Sequence, residues 1–327
     1  MQPFKYTTPA NEVAALAIVA GEDQAMYVAG GTNLIDLMKL DVETPAHLVD
    51  ITALPLNEVT PFEDGIRIGA LARNSDVAYH DMVHEHYPML SQALLSGASG
   101  QLRNMATIGG NLMQRTRCPY FRDAVQACNK RVPGSGCAAL SGYNREHAIL
   151  GASTHCIAVH PSDLCVALIA LDARIQTHSV RGERSIPITD FYLLPQDHPE
   201  RETVLARDEL IVAVDVPSLP FAGRSLYLKV RDRASYAFSL VSVAVALDIQ
   251  DGSIREARLA LGGVATRPWR LYEAEQLLAG KPAQEESYQE AASIATREAF
   301  PQRDNGFKID LSRRAIVHAL TRTGALA

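Results

Sequence analysis

Four of the five cysteines, Cys118, Cys128, Cys137 and Cys156, crowd into one stretch with the spacing C-x9-C-x8-C-x18-C. Thiolates bind zinc and iron–sulfur clusters, so this is the first place to look for chemistry. Structural zinc sites usually include a close C-x-x-C-like pair, and none occurs here. Wide, irregular spacing on a loop suits a four-iron cube, which has to be approached from several directions. Pro119, Pro133, Gly134 and Gly136 keep the stretch from becoming one helix. Zinc ligation and plain burial stay open as alternatives on spacing alone. From Gln101 to Arg145 there are seven basic residues against a single acid, Asp123, a local charge of +6 in a chain of −6. Such a field would hold an anionic cluster; a solvated loop or a partner-docking surface would read the same way. Cys165 stands apart in the apolar run Leu164 to Leu171 and reads as a small buried hydrophobe.

Two Gly-Gly turns flank the chemistry. Ala29-Gly30-Gly31-Thr32-Asn33-Leu34 sits where a strand hands over to a helix, so free backbone N–H groups can meet a phosphate. It is neither the G-x-G-x-x-G fingerprint nor a P-loop, and alone it reads first as a helix N-cap with a tight turn. Thr107-Ile108-Gly109-Gly110-Asn111 repeats the chemistry, and Asp163 is available for a ribose or ribityl hydroxyl. Two such turns in one domain suit a dinucleotide gripped at its pyrophosphate from both sides.

Elements to position these residues follow from the hydrophobic pattern. A helix is expected from Pro9 to Ala20, with Thr8 as N-cap and Pro9 at its first position, then a strand Met26 to Ala29, a helix Asn33 to Leu40 and a strand His47 to Ile51. Strands follow at Ile66 to Ala70, Arg174 to His178, Arg184 to Ile188 and Leu210 to Val216, and helices at Asn74 to His80, Met89 to Leu95 and Leu164 to Leu171. Pro217 to Gly223 reads as a linker. Beyond it come strands Leu226 to Val230, Ser239 to Ile249 and Ala257 to Leu261, then helices Pro268 to Leu278, Gln284 to Ala299 and Leu311 to Leu326, an α+β order. The composition, 47% apolar and 21% charged over 327 residues, is that of an ordinary soluble globular protein. The negative charge argues against nucleic-acid binding, and no apolar run approaches the ~20 residues of a membrane helix. Val13 to Ala20 is apolar, but Glu12 abuts it and only Lys5 precedes it, so no signal peptide of its own is expected.

Ala29 to Leu34, Arg103-Asn-Met-Ala-Thr-Ile-Gly-Gly-Asn111, Pro161-Ser-Asp163 and Lys229-Val-Arg-Asp-Arg233 together resemble the FAD-binding (medium) subunits of molybdenum hydroxylases, the xanthine dehydrogenase and aldehyde oxidoreductase family. With the cysteine insertion the chain is most similar to the subgroup carrying an extra [4Fe-4S] cluster, of the periplasmic-type aldehyde oxidoreductases. The resemblance implies an FAD-binding domain of the vanillyl-alcohol oxidase type over residues 1–220, in two α/β subdomains of about 1–55 and 56–220, with an iron–sulfur insertion at about 112–160. It implies an α+β C-terminal domain of the carbon monoxide dehydrogenase flavoprotein type over 221–327. FAD would be held by Val28, Ala29, Gly30, Gly31, Thr32, Asn33, Leu34, Thr107, Gly109, Gly110, Asn111, Asp163, Ile211 (through its backbone) and Lys229 (near the isoalloxazine). Cys118, Cys128, Cys137 and Cys156 would hold the cluster. His160 departs from the pattern, where relatives commonly carry Ser.

These expectations describe an electron-transfer flavoprotein subunit with no catalytic residues for an organic substrate. It would work with a molybdenum-cofactor large subunit and a [2Fe-2S] small subunit, deliver electrons to an external acceptor, and reside in the cytoplasm, or in the periplasm if exported with a signal-bearing partner. The alternatives are a stand-alone flavin oxidase of the same fold and a non-redox, nucleotide-binding or zinc-stabilised assembly module.

Overall fold

Three short parallel strands, β1 (Lys5–Thr7), β2 (Ala25–Val28) and β3 (His47–Asp50), form a sheet in the order β1-β3-β2. The computed structural model describes residues 1–326. Two helices make the crossovers, α1 (Glu12–Gly21) and α2 (Leu34–Lys39). α1 begins later than Thr8 and Pro9 suggest. Asn11 is the cap, its side-chain oxygen accepting the Ala14 N–H at 2.9 Å, with Glu12 completing an acidic first turn. Lys5 to Thr7 carry no apolar alternation, which is why β1 is silent in the sequence.

A five-stranded antiparallel sheet follows, with β4 (Val59–Phe62), β5 (Gly65–Gly69), β6 (Arg174–Ser179), β7 (Gly182–Pro187) and β8 (Leu210–Val216) in the order β4-β5-β8-β6-β7. Between β5 and β6 the chain leaves this sheet and runs through α3 (Pro88–Ser96), the short α4 (Ile108–Leu112), the cysteine segment and α5 (Asp163–Ala170). After an irregular stretch from Pro217, a four-stranded antiparallel sheet is built from β9 (Ser225–Val230), β10 (Val241–Gln250), β11 (Ser253–Gly262) and β12 (Trp269–Arg270), ordered β12-β11-β10-β9. It is closed by α6 (Tyr272–Leu278), α7 (Glu285–Ala295) and α8 (Phe307–Gly324).

The strand β10 shows how the sequence sets the layers. Its even positions, Ala244 and Ala246, are small and join the core around α3 and α5; Val241, Val243, Val245 and Leu247 point the other way, to the core under α6, α7 and α8. The period of two thus sorts side chains by size, letting α5 approach closely on one face. Gly262 on β11 completes the fit, since a Cβ there would lie 2.5 Å from Val166 of α5. The layers run five-stranded sheet, helices α3 and α5, four-stranded sheet, helices α6 to α8. Trp269 belongs to β12, paired with Leu261, and not to a helix starting at Pro268. Its indole still packs against the C-terminal core. Among the described residues no helix is long and apolar enough to cross a membrane.

Candidate functional site

The turn between β2 and α2 is held open. Gly31 adopts φ +69°, a left-handed conformation that suits glycine. Gly30 lies so close to the Met105 backbone that a Cβ would sit 1.8 Å from its carbonyl oxygen. Among the described residues the N–H groups of Gly30, Gly31, Thr32, Asn33 and Leu34 donate to no protein acceptor. Asn33 adds a buried, unpartnered Nδ2, while its Oδ1 accepts the Arg115 N–H at 2.9 Å. Consecutive free donors with a glycine at the point of closest approach are what an anionic diphosphate requires. These residues fit FAD.

The second Gly-Gly turn is built differently from the expectation that it would offer a matching set of free donors. Ile108 donates to Ala72 O (3.0 Å), Gly109 to Ala70 O (2.8 Å), Gly110 to the Thr107 hydroxyl (3.2 Å) and Asn111 to Thr107 O (2.8 Å). Thr107 is therefore the N-cap of α4, and Gly109 is there because a side chain would press on Ala70. Gly110 is the exposed one, and a bare Cα is what this turn presents. Asn111 ties the site together, its Oδ1 accepting from Ser162 Oγ (2.6 Å) and Gln114 Nε2 (2.6 Å). Ser162 in turn caps α5 by accepting the Cys165 N–H, placing Asp163 on its first turn.

Asp163 is buried, and its oxygens already accept the Tyr227 hydroxyl (2.6 Å) and Lys229 Nζ (2.8 Å). Lys229 also donates to Ser96 O at 3.1 Å. The pair expected to act separately on the cofactor is thus engaged with itself, although a carboxylate keeps further lone pairs. Burial, then the Asp163 charge, pushes the Tyr227 hydroxyl well above its usual range, so it stays a donor. Ile211 sits in β8 with its side chain in the core. The neighbouring Val212 carbonyl accepts from Ala70 N, and Ala70 reaches Gly109, so this backbone lies one strand away from the second turn. His160 is inside the structure, its Nδ1 accepting the Ser162 N–H at 3.4 Å and its ring edge-on to Tyr192; burial lowers it to about 4.

The four cysteines converge. Cys118, Cys128 and Cys156 are buried and share one small core with Cys137, Phe121 and Leu37 of α2. None is in a disulfide. Cys118 leads a one-turn helix, Pro119–Arg122. Cys128 and Cys137 face each other across a bridge closed by Gly134 and Gly136, both at positive φ. Asn129 secures that turn through Gly136 N–H to its Oδ1 (2.7 Å) and donates to His155 O (3.1 Å), drawing Cys156 in. Burial pushes the Cys118 thiol up to about 12, with Cys156 and Cys128 adding to the rise. Three buried thiols and the half-buried Cys137 thus line one small core. Among the described residues no group of three His, Cys, Asp or Glu side chains is gathered tightly enough for a single metal ion. Cys165 is elsewhere, buried with its sulfur 3.0 Å from the Tyr192 hydroxyl.

Most cations of the segment are staples and leave little free field. Arg122 pairs with Asp36 of α2 (2.5 Å), Arg145 with Asp232 (2.7 Å), Lys130 with Glu202 (2.9 Å), and Arg115 with both Glu43 (2.5 Å) and Glu202. Arg131 donates to the carbonyls of Tyr120, Phe121, Ala124 and Gln126, and Arg103 to Gly97 O. Among the described residues Arg117 pairs with no carboxylate; burial, then Arg122, lowers it to about 10. Glu202 and His147, whose Nε2 lies 3.2 Å from Cys118 Sγ, carried no motif in the sequence.

Comparison with known proteins matches residues 2–219 to the FAD binding domain in molybdopterin dehydrogenase and residues 226–324 to the CO dehydrogenase flavoprotein C-terminal domain. The chain is 49% identical to the aldehyde oxidoreductase FAD-binding subunit PaoB of Escherichia coli, over all of both chains. It is 30% identical to the glyceraldehyde dehydrogenase medium chain of Sulfolobus acidocaldarius, covering 97% of this chain and 95% of that one. Among solved structures, reconstituted CO dehydrogenase from Oligotropha carboxidovorans superposes over all of both chains with a TM-score of 0.78 at 22% identity, a likeness of fold.

Proposed function

The chain belongs to the molybdopterin dehydrogenase FAD-binding family, and from that premise we propose that it is the electron-transfer flavoprotein subunit of a molybdenum-dependent aldehyde oxidoreductase, binding FAD and one [4Fe-4S] cluster. The observation that carries this reading is α2: it starts at the open donor turn and sends Leu37 into the core formed by the four cysteines. Bound there, FAD and the cluster would supply the redox chemistry of a subunit placed between a molybdenum large subunit with its [2Fe-2S] small subunit and an external acceptor.

The protein's part is to bind, orient and exclude water. FAD falls to residues 1–220, where the N–H groups of Gly30 to Leu34 take the pyrophosphate against the bare Gly110, with Val28 and Ala29 leading into the turn. Thr107 and Gly109 shape the second turn, Asn111 fixes it to Ser162, and Asp163, Lys229 and the Ile211 backbone line the flavin end. Cys118, Cys128, Cys137 and Cys156 hold the cluster in an insertion spanning about 112–160, and the four-stranded sheet of the C-terminal domain covers α5. The test is elemental analysis of the complex purified without oxygen. Flavin with four iron and four sulfide beyond the partner's clusters is expected, lost on Cys128→Ser or Cys156→Ser; flavin without that iron sinks the cluster half of the reading.

A further inference from the structure

His147 brings an imidazole against the cysteine core. Its Nε2 lies 3.2 Å from Cys118 Sγ, and its Nδ1 is buried without a partner. A neutral imidazole carries one N–H. Placed on Nδ1 it would be an orphaned buried donor; placed on Nε2 it has the sulfur as acceptor, and only a lone pair goes unused. The backbone leaves the ring little freedom. The His147 carbonyl accepts from Asn305 Nδ2 (3.1 Å) and Lys308 Nζ (3.0 Å), both fully buried, and its N–H donates to Asn144 O (3.1 Å). Lys308 also reaches the carbonyls of Glu146 and Gly263, so α8 clamps this segment from the C-terminal domain.

We propose that His147 is a positioning residue that donates Nε2–H to the Cys118 sulfur and thereby raises the reduction potential of the cluster held by the four cysteines. This rests on the cluster reading above. Reduction adds one electron with no bond made or broken, and the negative charge spreads onto the sulfur ligands. A fixed N–H dipole aimed at one of them favours the reduced form. The C-terminal domain, through Asn305 and Lys308, therefore sets the potential of a centre to which it contributes no ligand.

The experiment is an EPR-monitored redox titration of the whole complex carrying His147→Phe or His147→Gln. Phe keeps a ring and loses the donor, while the Gln amide reaches about as far as Nε2. The expected result is full iron and sulfide in both, a roughly tenfold loss of the reduced-to-oxidised ratio at fixed potential in the Phe variant (~59 mV for one electron), recovery in the Gln variant, and an unmoved flavin potential. An unchanged potential in His147→Phe overturns the inference and leaves the cluster standing, and so does a loss that Gln fails to restore. If His147→Phe does not assemble, wild-type complex labelled with 15N-histidine decides: pulsed EPR on the reduced four-iron signal shows a coupled histidine nitrogen, and its absence overturns the assignment. Wild type lacking the extra iron and sulfide overturns both readings and places the fault with the cluster.

Discussion

Gly30→Ala is the sharpest probe of the flavin site. The added carbon would stand 1.8 Å from the Met105 carbonyl oxygen and 2.7 Å from its carbonyl carbon, where real Cβ contacts essentially never fall below 3.0 Å. Both neighbours are backbone, so no flexible side chain can yield, and the turn has to move by more than an ångström. Overpacking of this kind costs about 1–3 kcal/mol in folding. The larger effect falls on binding. Hydrogen bonds to a charged group are worth about 1.5–3 kcal/mol each. A shift of that size takes N–H donors out of range, and losing two of the five raises the Kd for FAD by roughly 10²- to 10⁴-fold. The assay is titration of deflavinated protein with FAD, followed by quenching of flavin fluorescence, with circular dichroism to verify the fold. Gly223→Ala is the control, since a Cβ there meets nothing within 4 Å. If Gly30→Ala binds FAD within about threefold of wild type, the free donors of this turn are not the pyrophosphate grip.

Three further outcomes follow from the pairings. Glu202 sits between Arg115 and Lys130; burial pushes its carboxyl up, but the two cations outweigh this and hold it below its ordinary 4.5. Because the folded value is depressed, its contribution is complete above 4.5 and fades as pH falls through the folded value. Glu202→Gln should therefore cost about 1–3 kcal/mol at neutral pH, less than a fully buried pair, and almost nothing in acid; an equal loss of denaturation midpoint at both pH values argues against the staple. Asp163→Asn leaves Lys229 buried beside a neutral amide and should cost about 3–5 kcal/mol in urea unfolding, with a near-neutral result showing that the pair is not held in the folded state. Cys165→Ala should cost stability alone, about 1 kcal/mol, and leave iron content at the wild-type level; lost iron would move this thiol into the ligand set.

The parts legible in the sequence are those whose signal is local. The open turn at Gly30 and Gly31, the alternation of β10 and the loop character of the cysteine segment all follow from a few neighbouring residues, and the structure has each of them. The second turn looks like the first in composition, but its N–H groups are taken, those of Ile108 and Gly109 by Ala72 and Ala70 far away in the chain and those of Gly110 and Asn111 by Thr107. Lys229 and Asp163 look like two independent cofactor contacts until β9 and α5 pack and bring them to 2.8 Å. The +6 segment looks like a free field; its partners, Asp36, Glu43, Glu202 and Asp232, lie outside it and carry no motif. His147 is one of ten histidines with no ligand spacing, and only the fold selects it.

These staples tie the cysteine segment to the first sheet and its helices. Asn33 takes the Arg115 N–H and Asp36 takes Arg122, so the first turn of α2 is bound to the segment on which Cys118 sits. The helix has six residues, about 9 Å at 1.5 Å each. One end carries the donor turn, and Leu37, about one turn along, is in the core of the four thiols. A rigid element of that length fixes the spacing of the turn and the thiol core better than a loop, because its own hydrogen bonds resist stretching. On the relay reading, flavin and cluster keep a constant separation whatever the partner subunits do. On the same reading the ion pairs around α2 act on the rate of electron passage by holding that distance, while the His147 contact to the Cys118 sulfur acts on its driving force.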